Sequence, residues 1–323
     1  MYKQIVRKCV QVVITLFCAT LIIFALTHLA PGDPVKLFLG HPGEVAMNDT
    51  TAYDDKVHEL RSQLGLDQHI AVQYVEWVKR LIRFDLGTSI HTGRSVSSEI
   101  AERLPATLLL SICALFIQFV LGMLLGTYSA IKAGKTYDMI IRIICVFLAS
   151  TPAFVLGLVL IFLFAVTLQV YEISSDASLR RVWLPSLILG LIAAPQIIRV
   201  TRANMLSELG QIYILSAISK GLPKRRVVIH AMRNVMLPMI TIIGLSFTTL
   251  VSGAVVIESI FSWPGVGKYA LDSVLLHDYP VIHGYAFVMV AIVIGTHLFV
   301  DLLYVLFDPR MRKSRETGVV SNG

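Results

Sequence analysis

The amino-acid sequence predicts an all-α membrane protein with six transmembrane helices. Hydrophobic residues make up 55% of the 323-residue chain and charged residues only 15%, whereas a soluble chain averages about 25% charged residues. Six uncharged runs are each long enough for the roughly 17 to 25 helical residues that cross a bilayer. They are Cys9–Gly32, Leu104–Ile131, Ile143–Tyr171, Val182–Ile198, Asn234–Ile257 and Tyr279–Val300. Because lipid offers the backbone no hydrogen-bond partner, each run should be helical.

The first run is predicted to remain in the protein as a membrane anchor. It follows a basic start and precedes Pro31-Gly-Asp, an arrangement that a signal peptide can also show. Its apolar core, however, is about twice the usual 7 to 15 residues of a signal peptide, and His28 stands where a cleavage site needs a small residue.

The basic residues predict the orientation of the spans. With the N-terminus in the cytoplasm, seventeen Lys and Arg residues fall inside, and three (Arg180, Arg181 and Lys268) fall in short outer loops. The other eight lie in the long first loop, and long loops are largely exempt from the positive-inside rule. The net charge of +7 is therefore mostly a topology signal, and no nucleic-acid partner is expected.

Residues 33–103 form the one long polar segment, and they are predicted to make a small cap outside the membrane. Leu64-Gly-Leu-Asp67 has the form of a helix stop followed by an N-cap. An apolar face at helical spacing follows and predicts a helix of roughly four turns. Its members are Ala71, Val75, Val78 and Ile82.

The end of this segment leads into the second span. Phe84–Ser89 predicts a turn, and Val96–Arg103 predicts a short amphipathic helix that meets the span at Pro105. Within the span, Gly122 and Gly126 allow another helix to approach closely. Packing inside one bundle explains this spacing more simply than dimerisation does.

Prolines predict bends in the next two spans. Ala149-Ser-Thr-Pro152 lies in the third and Ala193-Ala-Pro195 in the fourth. Such prolines serve either as packing solutions or as bending points, and the sequence leaves both interpretations open.

The segment 213–238, between the fourth and fifth spans, predicts two short helices broken at Gly221. Glycine suits the left-handed position that ends a helix, and Pro223 suits the start of the next one. With seven basic residues between Arg199 and Arg233, this cytoplasmic hairpin is a natural docking surface for another protein.

The fifth span carries Ser246, Thr249 and Gly253 at positions i, i+3 and i+7. They form a stripe of small or polar side chains on an otherwise apolar helix. Packing against a neighbouring helix is one explanation. The other is that the stripe lines a wet translocation path.

No enzyme active site, cofactor or metal site is expected. Lys132-Ala-Gly-Lys-Thr136 resembles the end of a phosphate-binding P-loop, but Ser129 replaces the first glycine and a membrane helix precedes the motif. His58-Glu59 lacks the second histidine of a zinc-protease helix. Any ATP that drives this system must therefore be bound by another chain.

The last span holds three ionisable residues, His283, His297 and Asp301. A buried charge costs about 2.5 to 3.5 kcal/mol, so Asp301 is expected to have a partner. A proton relay or metal path is one interpretation. Capping or pairing by Asp301, with the histidines facing protein, is favoured because proton pumps usually carry more acidic groups.

Ordered motifs follow one another along nearly the whole chain. They are Pro31–Pro34, Leu64–Asp67, Gln73-Tyr74 with Trp77, Asp85–Ser89, Arg103–Thr107, Ser219–Leu222, His230–Asn234 with Pro238, Phe261–Gly267, Asp278–Pro280 and Asp308–Arg310. In these motifs the chain resembles the binding-protein-dependent ABC importer permeases of the dipeptide, oligopeptide and nickel class. Within that class it is similar to the subunit type with Pro-Gly-Asp-Pro after the first span.

The resemblance implies a type I ABC importer permease fold with cytoplasmic N- and C-termini. It also implies that residues of about 203–237 form a coupling loop whose first helix sits in a groove of a cytoplasmic ATPase. The implied docking residues are Ala217, Ser219, Lys220, Gly221, Leu222 and Pro223. Leu215, Ser216 and Ile218 depart from the acidic, small or basic residues usual there, so somewhat altered contacts are expected.

The resemblance further implies several partners in the bilayer of a bacterial or archaeal cytoplasmic membrane. These are a second homologous permease subunit, two cytoplasmic ABC ATPase subunits and an extracytoplasmic solute-binding protein. Residues 33–103 and the loop at Trp263–Gly267 are the expected docking surfaces for the binding protein. The chain then divides into 1–32, 33–103, a permease core 104–312 and a tail 313–323.

Peptides are the leading solute, and nickel or a metal–chelate complex is the main alternative. The histidines of the outer loop show no ligand spacing that would favour a metal. A stand-alone channel or secondary transporter, which would favour inverted repeats or more charges within the membrane, is a different class of function. A membrane scaffold without a pathway is a third.

Overall fold

The computed structural model describes residues 2–29, 50–63 and 67–307, and most of these residues are helical. The α-helices are α1 (Tyr2–Leu29), α2 (Thr50–Gln63), α3 (Ile70–Ile82), α4 (Val96–Ile131), α5 (Thr136–Ser150), α6 (Ala153–Ile161), α7 (Trp183–Leu209), α8 (Ile212–Ser219), α9 (Lys224–Ile260), α10 (Val266–Leu275) and α11 (Tyr279–Phe307). Over the described ranges there is no β-strand, only an isolated bridge between Thr88 and Ser95. The predicted all-α fold class is confirmed.

Some sequence motifs lie outside the described residues. They are Pro31–Pro34, most of Leu64–Asp67, Asp308–Arg310 and the tail 313–323.

Four helices are long and apolar enough to cross a membrane: α4, α7, the Pro238–Ile260 part of α9, and the Tyr279–Leu303 part of α11. A bent pair, formed by α5 together with α6 and its π-helical extension Phe162–Thr167, can supply a fifth span. Helix α1 contains a shorter apolar stretch, Val10–Leu26. By these criteria the described residues therefore give four or five spans.

The predicted bend in the third run is confirmed, and it is a complete break. Thr151 has an extended backbone (φ −86°, ψ 122°), Pro152 precedes the first residue of α6, and the two helical segments make an angle of 100°. Proline lacks the N–H that would continue the helix ladder, which explains the break. Pro195, in contrast, lies inside the uninterrupted helix α7.

The chain divides into two units, and the larger comprises residues 106–264 and 293–323. Its core holds α4 directly against α7. A Cβ atom on Gly122 would lie 2.2 Å from Ile197 Cγ2, and one on Gly126 would lie 2.7 Å from Thr201 Cβ. These glycines therefore allow helix packing within one chain, as the simpler of the two sequence interpretations predicts.

Two large side chains of the segment after α9 are buried. Trp263 is only 1% exposed, and its indole Nε1 donates to the Ala106 carbonyl at 3.0 Å. Val266, at the start of α10, is fully buried in the other unit with Val96 and Val281. The Trp263 and Val266 side chains are therefore not exposed in this chain, and docking of a binding protein at the loop Trp263–Gly267 stays a prediction.

The other unit comprises residues 1–105 and 265–292, and within it α3 packs against α1. Phe24, Trp77 and Leu81 form a buried cluster. The predicted helix is confirmed, but His69 rather than Asp67 caps it, because the His69 ring accepts from Ala71 N at 3.3 Å. The predicted face is not the buried one, because Val75 and Ile82 are exposed.

The segment after α3 matches its predicted turn. Phe84 and Gly87 have positive φ angles of 58° and 88°, and the chain then enters α4 at Val96. The short helix predicted for 96–103 is the first part of α4, which continues through Pro105 without interruption.

Candidate functional site

The predicted break at Gly221 is present and is stabilised by a hydrogen-bonded helix terminus. Gly221 N donates to Ile218 O at 2.9 Å, and Leu222 N donates to Ala217 O at 3.1 Å. This pair of bonds is the Schellman pattern, which needs a left-handed residue just after the helix. Gly221 supplies it with a φ of +79°.

The requirement for glycine at this position is conformational rather than spatial. A Cβ atom on Gly221 would meet no heavy atom within 4 Å, so only the φ angle excludes larger residues. Pro223 directly precedes α9 and has a φ of −64°, close to the value that its ring imposes.

The sequence predicts a short second helix in the hairpin, and this prediction is wrong. Helix α9 runs from Lys224 to Ile260, 37 residues, and continues through Pro238 into the fifth apolar run. The hairpin is therefore a single short helix, α8, inserted between two long ones, α7 and α9.

One buried side chain holds α8 against α9. Ile214 is 1% exposed and belongs to a cluster with Val227, Ala231 and Val235. The last three recur at helical spacing along the first turns of α9, and Ile214 packs against them. Apolar burial thus fixes one side of α8.

A polar network joins α8 to both neighbouring helices. The Tyr213 hydroxyl donates to Glu208 Oε2 at 2.5 Å. Asn234 Nδ2 donates to the same carboxylate oxygen and to the Tyr213 hydroxyl, each at 3.0 Å. Burial, followed by the adjacent Glu208 carboxylate, raises the pKa of Tyr213. Its hydroxyl therefore keeps its proton, and remains a donor, at neutral pH.

Four of the predicted docking residues are exposed and two are half-buried. Ser219, Lys220, Gly221 and Pro223 are the exposed residues, and Ala217 and Leu222 are the half-buried ones. Ile212, Leu215 and Ile218, which recur every third residue along α8, are also exposed, at 79%, 57% and 54%. The surface of α8 thus combines apolar side chains with a basic rim formed by Lys220 and Lys224.

A buried ion pair lies near the end of the fourth apolar run. Asp138, near the start of α5, accepts from Arg202 Nε and Nη2, both at 2.8 Å. It also accepts from Ser129 Oγ and from Gly134 N, the latter at 3.1 Å. The pair ties the α4–α5 loop to α7.

The predicted path residues occupy different environments within this chain. Ser246 is buried and accepts from Gln118 Nε2 at 3.3 Å. Thr249 and Gly253 are exposed, and the Thr249 hydroxyl donates to Leu245 O in its own helix at 3.1 Å. Only the last two of the three are therefore open to lipid, water or another subunit.

The ionisable residues of the last run are separated along α11. The His283 ring lies 5.2 Å from the Trp77 ring, centroid to centroid. Asp301 is half-buried and His297 is exposed. Among the described residues there is no group of three or more His, Cys, Asp or Glu side chains that can hold a metal ion.

Sequence reasoning missed the two polar clusters because their members lie just outside the uncharged runs. Asp138 precedes the third run, whereas Arg202 and Glu208 follow the fourth. These residues lie at the ends of spans and on the same predicted side of the membrane, and this shared location is the signal that could have indicated contacts among them. The spacing of the chain does not reveal which acid meets which base.

The sequence of this chain matches two families of membrane transport components. Residues 118–313 match the family described as "Binding-protein-dependent transport system inner membrane component". Residues 1–111 match the corresponding N-terminal family of membrane components.

Several relatives match along nearly their full length. The di/tripeptide transport system permease protein DppB of Pseudomonas aeruginosa is 35% identical, covering 98% of this chain and 100% of the relative. The dipeptide transport system permease protein DppB of Escherichia coli is 33% identical with the same coverage. The glutathione transport system permease protein GsiC of Escherichia coli is 34% identical, covering 97% and 99%.

A solved structure shares the fold at low sequence identity. It is a chain of the MetNI methionine ABC transporter in inward-facing conformations, with a TM-score of 0.51 and 15% identity, covering 63% of this chain and 94% of that one. The family matches cover residues 1–111 and 118–313, and full-length relatives are more than 30% identical. This chain is therefore a member of the inner membrane component family of binding-protein-dependent transport systems.

Proposed function

We propose that this chain is a permease subunit of an ATP-driven, binding-protein-dependent ABC importer for dipeptides or oligopeptides. The names of its full-length relatives, which refer to di/tripeptide, dipeptide and glutathione transport, support the solute class. All three names describe short peptides, so the shared feature of the solute is one or more peptide-like amides with charged ends.

The proposed topology has six spans with both termini in the cytoplasm. Four described helices and the bent pair supply five spans, and the stretch Val10–Leu26 of α1 supplies the first. At a rise of 1.5 Å per residue, this stretch is about 25 Å long, close to the roughly 30 Å of the hydrocarbon core. The basic residues at the predicted inner ends support this orientation.

The proposed role of α8 is to dock into a cytoplasmic ATPase subunit. The observation that carries this role is the combination of an exposed outer surface with a fixed inner one. Ile214 and the Glu208–Tyr213–Asn234 network hold α8 against α7 and α9, while Lys220, Gly221 and Pro223 face outward. A helix held in this way transmits force to the long helices, which a mobile loop would not do.

The apolar surface of α8 refines the chemistry of the proposed contact. Leu215 and Ile218 are more than half exposed, at positions where the family resemblance implies acidic, small or basic residues. We therefore propose that Ala217, Ser219, Lys220, Gly221, Leu222 and Pro223 contact the ATPase together with an apolar anchor of Leu215 and Ile218.

The remaining parts of the importer are proposed to be separate chains. They are two ABC ATPase subunits, a second homologous permease and an outer solute-binding protein, in the cytoplasmic membrane of a bacterium or archaeon. Thr249 and Gly253, exposed on α9, are proposed to face the translocation path, whereas Ser246 is buried against Gln118 within the chain.

Reconstitution with and without the ATPase subunits tests this function. Proteoliposomes that hold both permeases, the ATPases and the binding protein should take up labelled dipeptide only when ATP is present inside. Uptake by this chain alone would support a channel or secondary transporter. Uptake of nickel but not of dipeptide would support the metal alternative.

A further inference from the structure

Helix α3 has a wider apolar arc than its neighbours in the chain cover. At 100° per residue, its apolar side chains, apart from Val72, span about 160° of the helix circumference. One half of this arc, formed by Tyr74, Trp77 and Leu81, packs against other helices. The other half includes Val75, which is 48% exposed, and Ile82, which is 74% exposed.

The packed half of the arc fixes the depth of α3 relative to α1. The Tyr74 hydroxyl lies 3.1 Å from the Thr20 hydroxyl, and the Tyr74 and Trp77 rings lie 5.3 Å and 5.9 Å from the Phe24 ring. Thr20 and Phe24 both belong to the apolar stretch Val10–Leu26. They lie about 9 Å and 3 Å along the helix axis from its end at Leu26.

The same side of α3 also meets the start of the last apolar helix. Trp77 packs against His283, and Phe287 joins the cluster of Phe24, Trp77 and Leu81. Both residues lie within the candidate span Tyr279–Leu303. The proposed first span, in α1, and the candidate span of α11 therefore both contact α3 along their apolar lengths.

The charged residues of α3 occupy the opposite arc. Lys79, Arg80 and Arg83 are exposed there, together with one acidic residue, Glu76. Glu76 accepts from Lys79 Nζ at 2.7 Å. The arc thus carries two more positive than negative charges, which suits the phosphates of lipid headgroups.

A protruding aromatic side chain extends the uncovered apolar half. Phe84 follows α3 and is 83% exposed, although its φ of +58° is unusual for a residue other than glycine. Ser97 Oγ donates to the Phe84 carbonyl at 2.8 Å and accepts from Leu86 N at 3.1 Å. The first turn of α4 thus fixes the backbone that presents Phe84.

From this arrangement we infer that α3 lies in the outer membrane–water interface, with Val75, Ile82 and Phe84 inserted among the lipid acyl chains. Leu21 and Ile22 of α1, which lie at the depth of Thr20 and Phe24, are exposed as well. Helices of this kind sit about 5 to 10 Å into the boundary between headgroups and acyl chains, which agrees with the depth set by Thr20 and Phe24. The inference depends on the proposed span of α1 and is independent of the transported solute.

Spin labels on the assembled transporter test this placement. Single cysteines replace Val75, Ile82 or Glu76 in a chain whose four native cysteines are replaced, in vesicles of phosphatidylethanolamine and phosphatidylglycerol. We expect the labels at 75 and 82 to collide several-fold more often with dissolved oxygen than with a water-soluble paramagnetic chelate. The label at 76, on the charged arc, should show the reverse.

A fourth label separates failure of this inference from failure of the proposed topology. Ile14 lies on the exposed side of α1, and a spin label on Ile14→Cys should show deep lipid exposure. If it does, water exposure at 75 and 82 overturns the inference alone. Protection of 75 and 82 from both reagents also overturns it, because another protein then covers the arc. Water exposure at Ile14 overturns the topology and this inference together.

Discussion

The Arg202 guanidinium donates two hydrogen bonds of 2.8 Å to the carboxylate of Asp138, whose side chain is only 3% exposed. Three structural elements meet at this pair: the end of α4 through Ser129, the α4–α5 loop through Gly134, and α7 through Arg202. The pair therefore sets where α5 begins, and its loss should affect the whole predicted cytoplasmic side.

Asp138→Asn should destabilise the protein by about 3 to 5 kcal/mol, because it leaves a partly buried guanidinium without its counter-charge. Thermal unfolding of the purified chain in detergent measures the loss. Asp176→Asn is the matched control, because its carboxylate is 76% exposed where it pairs with Arg181. Its effect should stay within about 0.5 kcal/mol, and an equal loss in both variants would contradict the role of burial.

Gly221→Val should leave membrane insertion intact and uncouple ATP hydrolysis from uptake. Valine is strained at a φ of +79° by about 1 to 2 kcal/mol, so the end of α8 must rearrange. The ratio of dipeptide taken up to ATP hydrolysed in proteoliposomes measures the coupling.

Gly93→Val provides the control for backbone strain. Gly93 has a φ of +66°, and a Cβ atom there also meets nothing within 4 Å, but it lies outside the hairpin. Its variant should keep the normal ratio of uptake to hydrolysis. Unchanged coupling in Gly221→Val would refute the proposed role of the loop.

Tyr213→Phe should clearly lower the coupling of ATP hydrolysis to uptake while changing the stability of the protein only slightly. It removes the hydroxyl that joins Glu208 to Asn234 but leaves the buried contacts of Ile214 in place. We expect a lower ratio of uptake to hydrolysis with a change in unfolding free energy of about 1 kcal/mol. Tyr137→Phe, an exposed tyrosine outside the network, should behave like the unmodified protein. Identical coupling in the two variants would remove the network from the mechanism.

Gly122→Ala should destabilise the bundle by about 1 to 3 kcal/mol, because its methyl group would overlap Ile197 Cγ2 at 2.2 Å. Gly295→Ala is the control, because a Cβ atom there meets nothing within 4 Å. In a helix interior this control should be neutral or slightly stabilising. Unfolding in detergent compares the two, and equal stability would contradict the close approach of α4 and α7.

Cysteines at Thr249 and Gly253 should react with a polar thiol reagent in the assembled transporter, since these positions are proposed to face the path. A cysteine at Ser246 should react more slowly because that side chain is buried. A cysteine at Phe147, which is 65% exposed on α5 and outside the proposed path, is the control and should stay unlabelled. Protection of all three α9 positions would favour packing over a path.

The class of the fold was predictable from the sequence because lipid imposes helices on long uncharged runs. The break at Pro152 and the helix end at Gly221 were predictable because proline and glycine change the backbone locally. The continuity of α9 was not predictable, since Pro238 is tolerated inside a helix only where surrounding packing compensates for its missing N–H. The buried face of α3 was not predictable either, because periodicity shows that a face is apolar and does not show what covers it.

The position of the candidate site in the chain was predictable from the sequence, but the contacts that hold α8 against α7 and α9 were not. Gly221 and the basic residues mark the loop in the sequence, whereas the contacts that hold α8 join residues that are far apart in the chain, such as Glu208 and Asn234. Such contacts depend on where α7 ends and α9 begins, and local sequence determines helix ends only to within a few residues.

The uninterrupted course of α9 has a mechanical consequence. A helix of 37 residues is a rod of about 55 Å, and α8, the proposed docking helix, sits beside one of its ends. By simple geometry, a tilt of about 10° displaces the opposite end by roughly 10 Å over that length. If α8 docks as proposed, a small rotation applied near Lys224 would therefore displace the helix near Ile260 by roughly 10 Å, with no hinge needed between them.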